Sequence, residues 1–124
     1  MQKKLPQITW CKLPEEHDYP AAASYLGLIH DDLEVSILVQ NLRNCHIVEF
    51  KAKDIFRASS LSLLGVSNSH VKKDKDKIKK NIALSPLLLV RDSTNGKVVI
   101  ADGYHRLCAV YSFDEDALIP CKIV

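Results

Sequence analysis

Apolar and polar positions along the chain follow two regimes that change over at residue 45. In the first, Asp18-Tyr19-Pro20 offers an N-cap and a proline for the first turn, and AAASYLGLIH runs on in helix formers. Gly27 weakens this helix by about 1 kcal/mol against alanine. Asp31-Asp32 can cap a second helix, in which Val35, Leu38 and Leu42 return on one face. Residues 1–44 therefore predict an antiparallel helical hairpin closed by Asn44, with Trp10 and Tyr19 stapling it onto a sheet.

From Cys45 the period shortens. HIVEF (46–50) reads as a strand, and KAKDIFRASSLSLLG as a short helix or ordered loop stopped by Gly65. SNSHVKKDKDKIKKN, with Ser69 as its cap, predicts a solvated helix anchored by Val71 and Ile78. PLLLVR (86–91) is a continuous apolar run suited to a strand covered on both faces. Asn95-Gly96 is a strong hairpin-turn signal, and KVVIAD (97–102) is the returning strand. Residues 103–112 predict a helix with Leu107, Val110 and Tyr111 on its inner side, and IPCKIV a last strand. This order predicts an α+β fold, a small mixed β-sheet with packed helices. It is read as one domain over residues 1–124, a helical extension (1–44) preceding a core (45–124).

Composition narrows the function classes. Hydrophobic residues make up 47% of the 124 and charged residues 26%, as in an ordinary globular domain. The net charge of +2 sets up no overall field toward nucleic acid or an anionic membrane. No apolar run has the length of a signal peptide core or a membrane span. Cys11, Cys45, Cys108 and Cys121 stand far apart without a C-x-x-C pair, which argues against zinc and for reduced thiols in a cytoplasmic protein. His17-Asp18 and His30-Asp31-Asp32 read as helix caps rather than metal ligands, so no metal site is expected. Cys45 and His46 open a strand and point to opposite faces. The six lysines of residues 72–80 are interspersed with two aspartates and read as solvated surface, which makes nucleic acid an unlikely partner.

The seam between KVVIAD and the helix that follows concentrates chemistry. Backbone N–H groups at a helix start are unpaired and carry the positive end of its dipole. Gly103 permits close approach or a positive φ. Arg106, one turn in, can reach back with a planar two-pronged donor, and His105 adds a donor that titrates near neutrality. Together these features predict a phosphate-binding nest. Asp102 fits it as a helix cap, as a group orienting His105, or as a base.

Residues 85–124, SPLLLVR…KVVIADGYHRLCAVYSF…IPCKIV, resemble the ParB/sulfiredoxin superfamily, and the upstream VEFKAKDI is similar to its first strand and turn. The resemblance covers about residues 45–124. It implies that the G-x-H-R turn, here Gly103, Tyr104, His105 and Arg106, binds nucleotide phosphates, with Lys72 or Lys73 assisting. It implies ATP, ADP or CTP with magnesium as cofactor. ADGYHR is closer to the D-G-H-H-R form of ParB-like kinases that phosphorylate free serine, which implies a phosphotransferase with Asp102 and His105 as catalytic groups. The departures are specific. Tyr104 stands where sulfiredoxins place their catalytic cysteine, and Cys108 lies a turn further on. The E-N-x-Q-R motif and helix-turn-helix of the partition proteins are absent. The kinases' acidic pair after the first strand is replaced by FRASS, leaving Glu49 or Asp54 as substitutes.

The leading expectation is a protein that binds a nucleotide or another phosphorylated small molecule at the Asp102–Arg106 turn. The alternatives are a non-enzymatic module that docks a protein partner through residues 1–44 and, more weakly, a nucleic-acid accessory or nuclease-like role.

Overall fold

Alternate residues of one strand face two different cores. In β2 (Leu87–Asp92), Leu87 and Leu89 belong to one buried cluster, Leu88 and Val90 to another. The strand is covered on both faces, as its unbroken apolar run predicts. Five helices and four strands surround this axis among the described residues, 7–65 and 67–124 of the computed structural model.

β2 pairs antiparallel with β3 (Lys97–Asp102) and parallel with β4 (Leu118–Ile123). β4 in turn pairs antiparallel with β1 (Val48–Lys51), so the mixed sheet has the order β1-β4-β2-β3. One face is covered by α1 (Asp18–Leu26) and α2 (Asp32–Asn44), through Tyr19, Ala22, Leu26, Val35 and Leu42. The other carries α3 (Ala52–Ser59), α4 (Ser69–Lys79) and α5 (Tyr104–Phe113), through Ile55, Val71, Ile78, Leu107 and Val110. Burying a leucine side chain contributes about 1.5–3 kcal/mol, and Leu87, Leu88 and Leu89 are all buried. The expected α+β architecture is present. Among the described residues no helix is long and apolar enough to cross a membrane.

Local departures from the sequence reading have identifiable causes. Asp18 does not cap α1. It lies inside the first turn, buried, and accepts a hydrogen bond from Ser85 Oγ, while His17 occupies the cap position without a side-chain cap bond. Asp31 does cap α2, taking the N–H of Glu34 at 2.8 Å. Asn68 rather than Ser69 caps α4, because its carboxamide oxygen reaches the N–H groups of His70 and Val71. β1 starts at Val48, two residues later than expected, and α3 follows it directly. That helix stops at Ser59, before Gly65, where the Ser59 hydroxyl binds the Phe56 carbonyl and Ser60 turns left-handed at φ 58°. Trp10 bridges to Leu84 and packs against the α3–α5 core, so of the two expected staples Tyr19 alone lies in the cluster that joins the helical hairpin to the sheet.

Candidate functional site

The chain reaches the seam through an irregularity in β3. Leu89 pairs with Ile100 but Leu88 pairs with Asp102, leaving Ala101 as an extra residue in the ladder. Such a bulge re-aims the side chains beyond it. Directly opposed residues share a sheet face, so Asp102 is turned to the side of Leu88, which α1 covers. Gly103 then takes φ +110° and ends the extended run, and α5 starts at Tyr104. Glycine is required there twice over. A Cβ would meet Leu87 Cγ at 2.7 Å and Arg106 Nη2 at 3.0 Å, in a conformation L side chains rarely adopt. Its role is the turn and the packing beneath it.

Arg106 is not the free fork the sequence suggested. Its Nη2 donates to Asp102 Oδ2 at 2.9 Å and to the Pro86 carbonyl at 3.4 Å, and stands 3.6 Å from Asp18 Oδ2. Two carboxylates from different elements hold the guanidinium, so it clamps β3, α5, α1 and the entry to β2 together. Asp102 consequently serves neither as a helix cap nor as a partner of His105. Its carboxyl is raised from the usual range by burial, which outweighs the lowering by Arg106, and Asp18 adds to the rise.

What remains open is the cleft between α5 and α4, a cavity of about 320 Å³. His17, His70, Lys73, Asp74 and Lys77 line it opposite the residues of the Asp102–Arg106 turn. No side chain caps α5, so the first N–H groups of that helix start at this cleft without a side-chain partner. The His105 ring stacks on His70 at 4.8 Å between centroids. Its pKa is lowered, first by burial and then by His70 and Arg106, with Asp74 pulling the other way. At neutral pH His105 is therefore an uncharged imidazole that can accept a proton. Asp74 is raised by burial and lowered by Arg106, Lys77 and His105. A second, less polar hollow of about 400 Å³ lies on the other side of the turn, where Tyr25, Leu61, Ile100 and Ala101 join Gly103, Tyr104 and His105. The Tyr104 hydroxyl donates to the Ser62 carbonyl and shapes that wall.

The structure thus gathers Asp102, Gly103, Tyr104, His105, Arg106 and Lys73 around one corner. Lys72 is not among them; it lines a neighbouring depression with Lys80 and Ile82, which Lys73 and Lys77 also border. Nor do the substitute acids reach it. Asp54 lines an apolar cavity with Phe50, Leu89 and Arg91, and Glu49 bears on Cys121 instead. Cys108 is buried, and burial raises its thiol pKa, which leaves it a packing residue. Sequence reasoning missed Asp18, His70, Asp74 and Lys77. Three of these had a signal, because positions 70, 73, 74 and 77 recur at i, i+3, i+4 and i+7 and so share a helix face. Asp18 had none.

Glu15, His17 and Asp18 place one ligand atom each within 4.8 Å of one another at the edge of the cleft. His17 Nε2 lies 3.2 Å from Glu15 and 3.3 Å from Asp18, while Asp18 also serves Ser85 and faces Arg106. Asp18 is thus already engaged by Ser85 and Arg106, and Glu15 by His17. Comparison of the chain with protein-family models, with curated proteins and with solved structures returns no match.

Proposed function

We propose that the α4–α5 cleft binds the phosphate end of a small molecule, a nucleotide being the leading candidate, in a protein of ParB/sulfiredoxin type. One observation carries this reading: the uncapped start of α5 opens onto a cavity lined by three imidazoles, those of His17, His70 and His105, and by Lys73 and Lys77. Backbone N–H groups with the helix dipole behind them favour an anion, while Lys73 and Lys77 supply charge and His70 a ring nitrogen from the facing helix. The less polar hollow beside Tyr25 and Leu61 offers room for a ring attached to the phosphates. The similarity of ADGYHR to the G-x-H-R turn supports the same reading independently. Arg106 contributes here by fixing the turn, since its charge is engaged by Asp102 and Asp18.

Phosphoryl transfer is the chemistry such a cleft can perform. An acceptor hydroxyl would attack the terminal phosphorus, its proton would pass to the neutral His105 ring, and the bridging oxygen would leave with the nucleoside diphosphate. Magnesium, implied by the resemblance, would be held by Asp74 and would offset charge on the phosphates; Asp102 is committed to Arg106.

Calorimetric titration with ATP, ADP, CTP, GTP and pyrophosphate, with and without magnesium, tests the reading. Binding that weakens at least tenfold in Lys73→Gln/Lys77→Gln but not in Lys72→Gln is expected. Failure of every one of these ligands to bind the folded protein would remove the proposal.

A further inference from the structure

We infer that the tip of the α1–α2 hairpin is a docking surface for a cationic amphipathic helix of another protein. This stands apart from the phosphate cleft and does not depend on it. The tip exposes large apolar side chains: Leu28 is 84% exposed and Leu33 72%, and Ile29 and Ile37 are each about half exposed. Leu33 and Ile37 stand one turn apart on α2, on the side away from the buried Val35 and Leu42. An open groove of about 270 Å³, large enough for an aliphatic side chain, is lined by His30, Glu34, Ile37 and Leu38. Scattered exposed leucines need no explanation, but a contiguous group on one helix and its preceding turn marks an interaction site.

Charge selects the occupant. Between Lys12 and Arg43 the chain carries six carboxylates and no lysine or arginine. Three of them, Asp31, Asp32 and Glu34, lie at the start of α2 beside the apolar group, Asp31 capping the helix and Glu34 paired with His30 at 2.7 Å. An apolar stripe with an acidic rim complements a helix whose apolar face is flanked by lysine or arginine, the helix-in-groove mode of recognition. A second copy of this chain fits less well. Its basic α4 region carries six lysines, and Ile82 is the one large apolar side chain lining the depression there, so the tip would be buried against ammonium groups. An anionic membrane surface would be repelled by the rim.

The experiment titrates the full chain with two synthetic helical peptides of equal length, one alternating leucine and lysine faces, the other leucine and glutamate. The lysine peptide is expected to bind, and more weakly as salt rises. Leu33→Ser/Ile37→Ser should weaken it about tenfold or more, and Asp32→Asn/Glu34→Gln severalfold, with circular dichroism unchanged and only a small fall in Tm for the second variant, which loses two first-turn acids and the Glu34–His30 contact. The proposal is overturned if the two peptides bind alike, if neither binds, or if Leu33→Ser/Ile37→Ser leaves the lysine peptide's affinity intact. It is equally overturned if the free protein self-associates and Leu33→Ser/Ile37→Ser abolishes that association, since the occupant is then a second copy.

Discussion

The Asp18 carboxylate lies 3.6 Å from the Arg106 guanidinium, joining the first helix to the last one. Both side chains are largely out of solvent, and Asp18 is the more deeply buried of the two. Asp18→Ala strips Arg106 of one of its two carboxylates and leaves the Ser85 hydroxyl without its acceptor. Breaking a buried charge pair costs roughly 3–5 kcal/mol, and because Asp102 remains, the low end of that range is expected in urea unfolding. Asp18→Asn, which keeps the acceptor for Ser85, should cost less than the alanine variant.

Two glycines with positive φ should respond differently to the same change. At Gly96, φ +65° with open space around it, alanine meets only backbone strain, about 1 kcal/mol. At Gly103 the same substitution adds contact with Leu87 and Arg106, and a loss of about 3 kcal/mol is expected. Thermal melts of Gly96→Ala and Gly103→Ala side by side measure the difference. Equal losses would show that packing beneath the turn is slack.

His105 gives the cleft a defined pH response. Burial and its neighbours lower its folded pKa below the ordinary 6.5, so folded protein resists protonating it where the unfolded chain does not. Its contribution to stability is therefore intact above that ordinary value and declines as the pH falls through the lowered folded one. Bound phosphate favours the charged ring, so affinity for pyrophosphate should rise as the solution is acidified through the same window. NMR titration of the imidazole should place the free midpoint below 6.5 and move it upward on binding. A midpoint unmoved by the ligand would take His105 out of the site.

The thiols divide by depth. Cys121 is pushed up to about 12 by burial, with Glu49 adding to it, and Cys108 is also raised and buried. In native protein neither should react with a thiolate-specific reagent until the chain unfolds, whereas Cys11 and Cys45, half-exposed, should label first. Mass spectrometry of partly labelled protein reads the order directly.

The parts of the fold that rest on local pattern were legible before the structure. The run PLLLVR, the Asn95-Gly96 turn and the returning strand KVVIAD each follow from an apolar run or a turn residue, and each is found in place. The Asp31 cap and the Val71–Ile78 anchors of α4 belong to the same class. What could not be read was anything decided by distant neighbours. Arg106 looked like a free donor because nothing near it in the chain announces Asp18, which folding brings in from the opposite layer. The bulge at Ala101 leaves no mark in the sequence, yet it decides which face Asp102 takes. Lys72 and Lys73 were indistinguishable as adjacent lysines, and only the docking of α4 on α5 brings Lys73 to the cleft while leaving Lys72 off it.

The strand order has a consequence for biosynthesis. β1 and β2 share no hydrogen bonds; β4 lies between them, and the Val124 backbone exchanges bonds with Leu89 and Arg91 at its end. A nascent chain emerging N-terminus first holds two unjoined halves of the sheet until that late segment clears the ribosome. The leucine-rich edge of β2 lacks its β4 partner for the whole interval, leaving its strand hydrogen-bonding groups on that side unpaired.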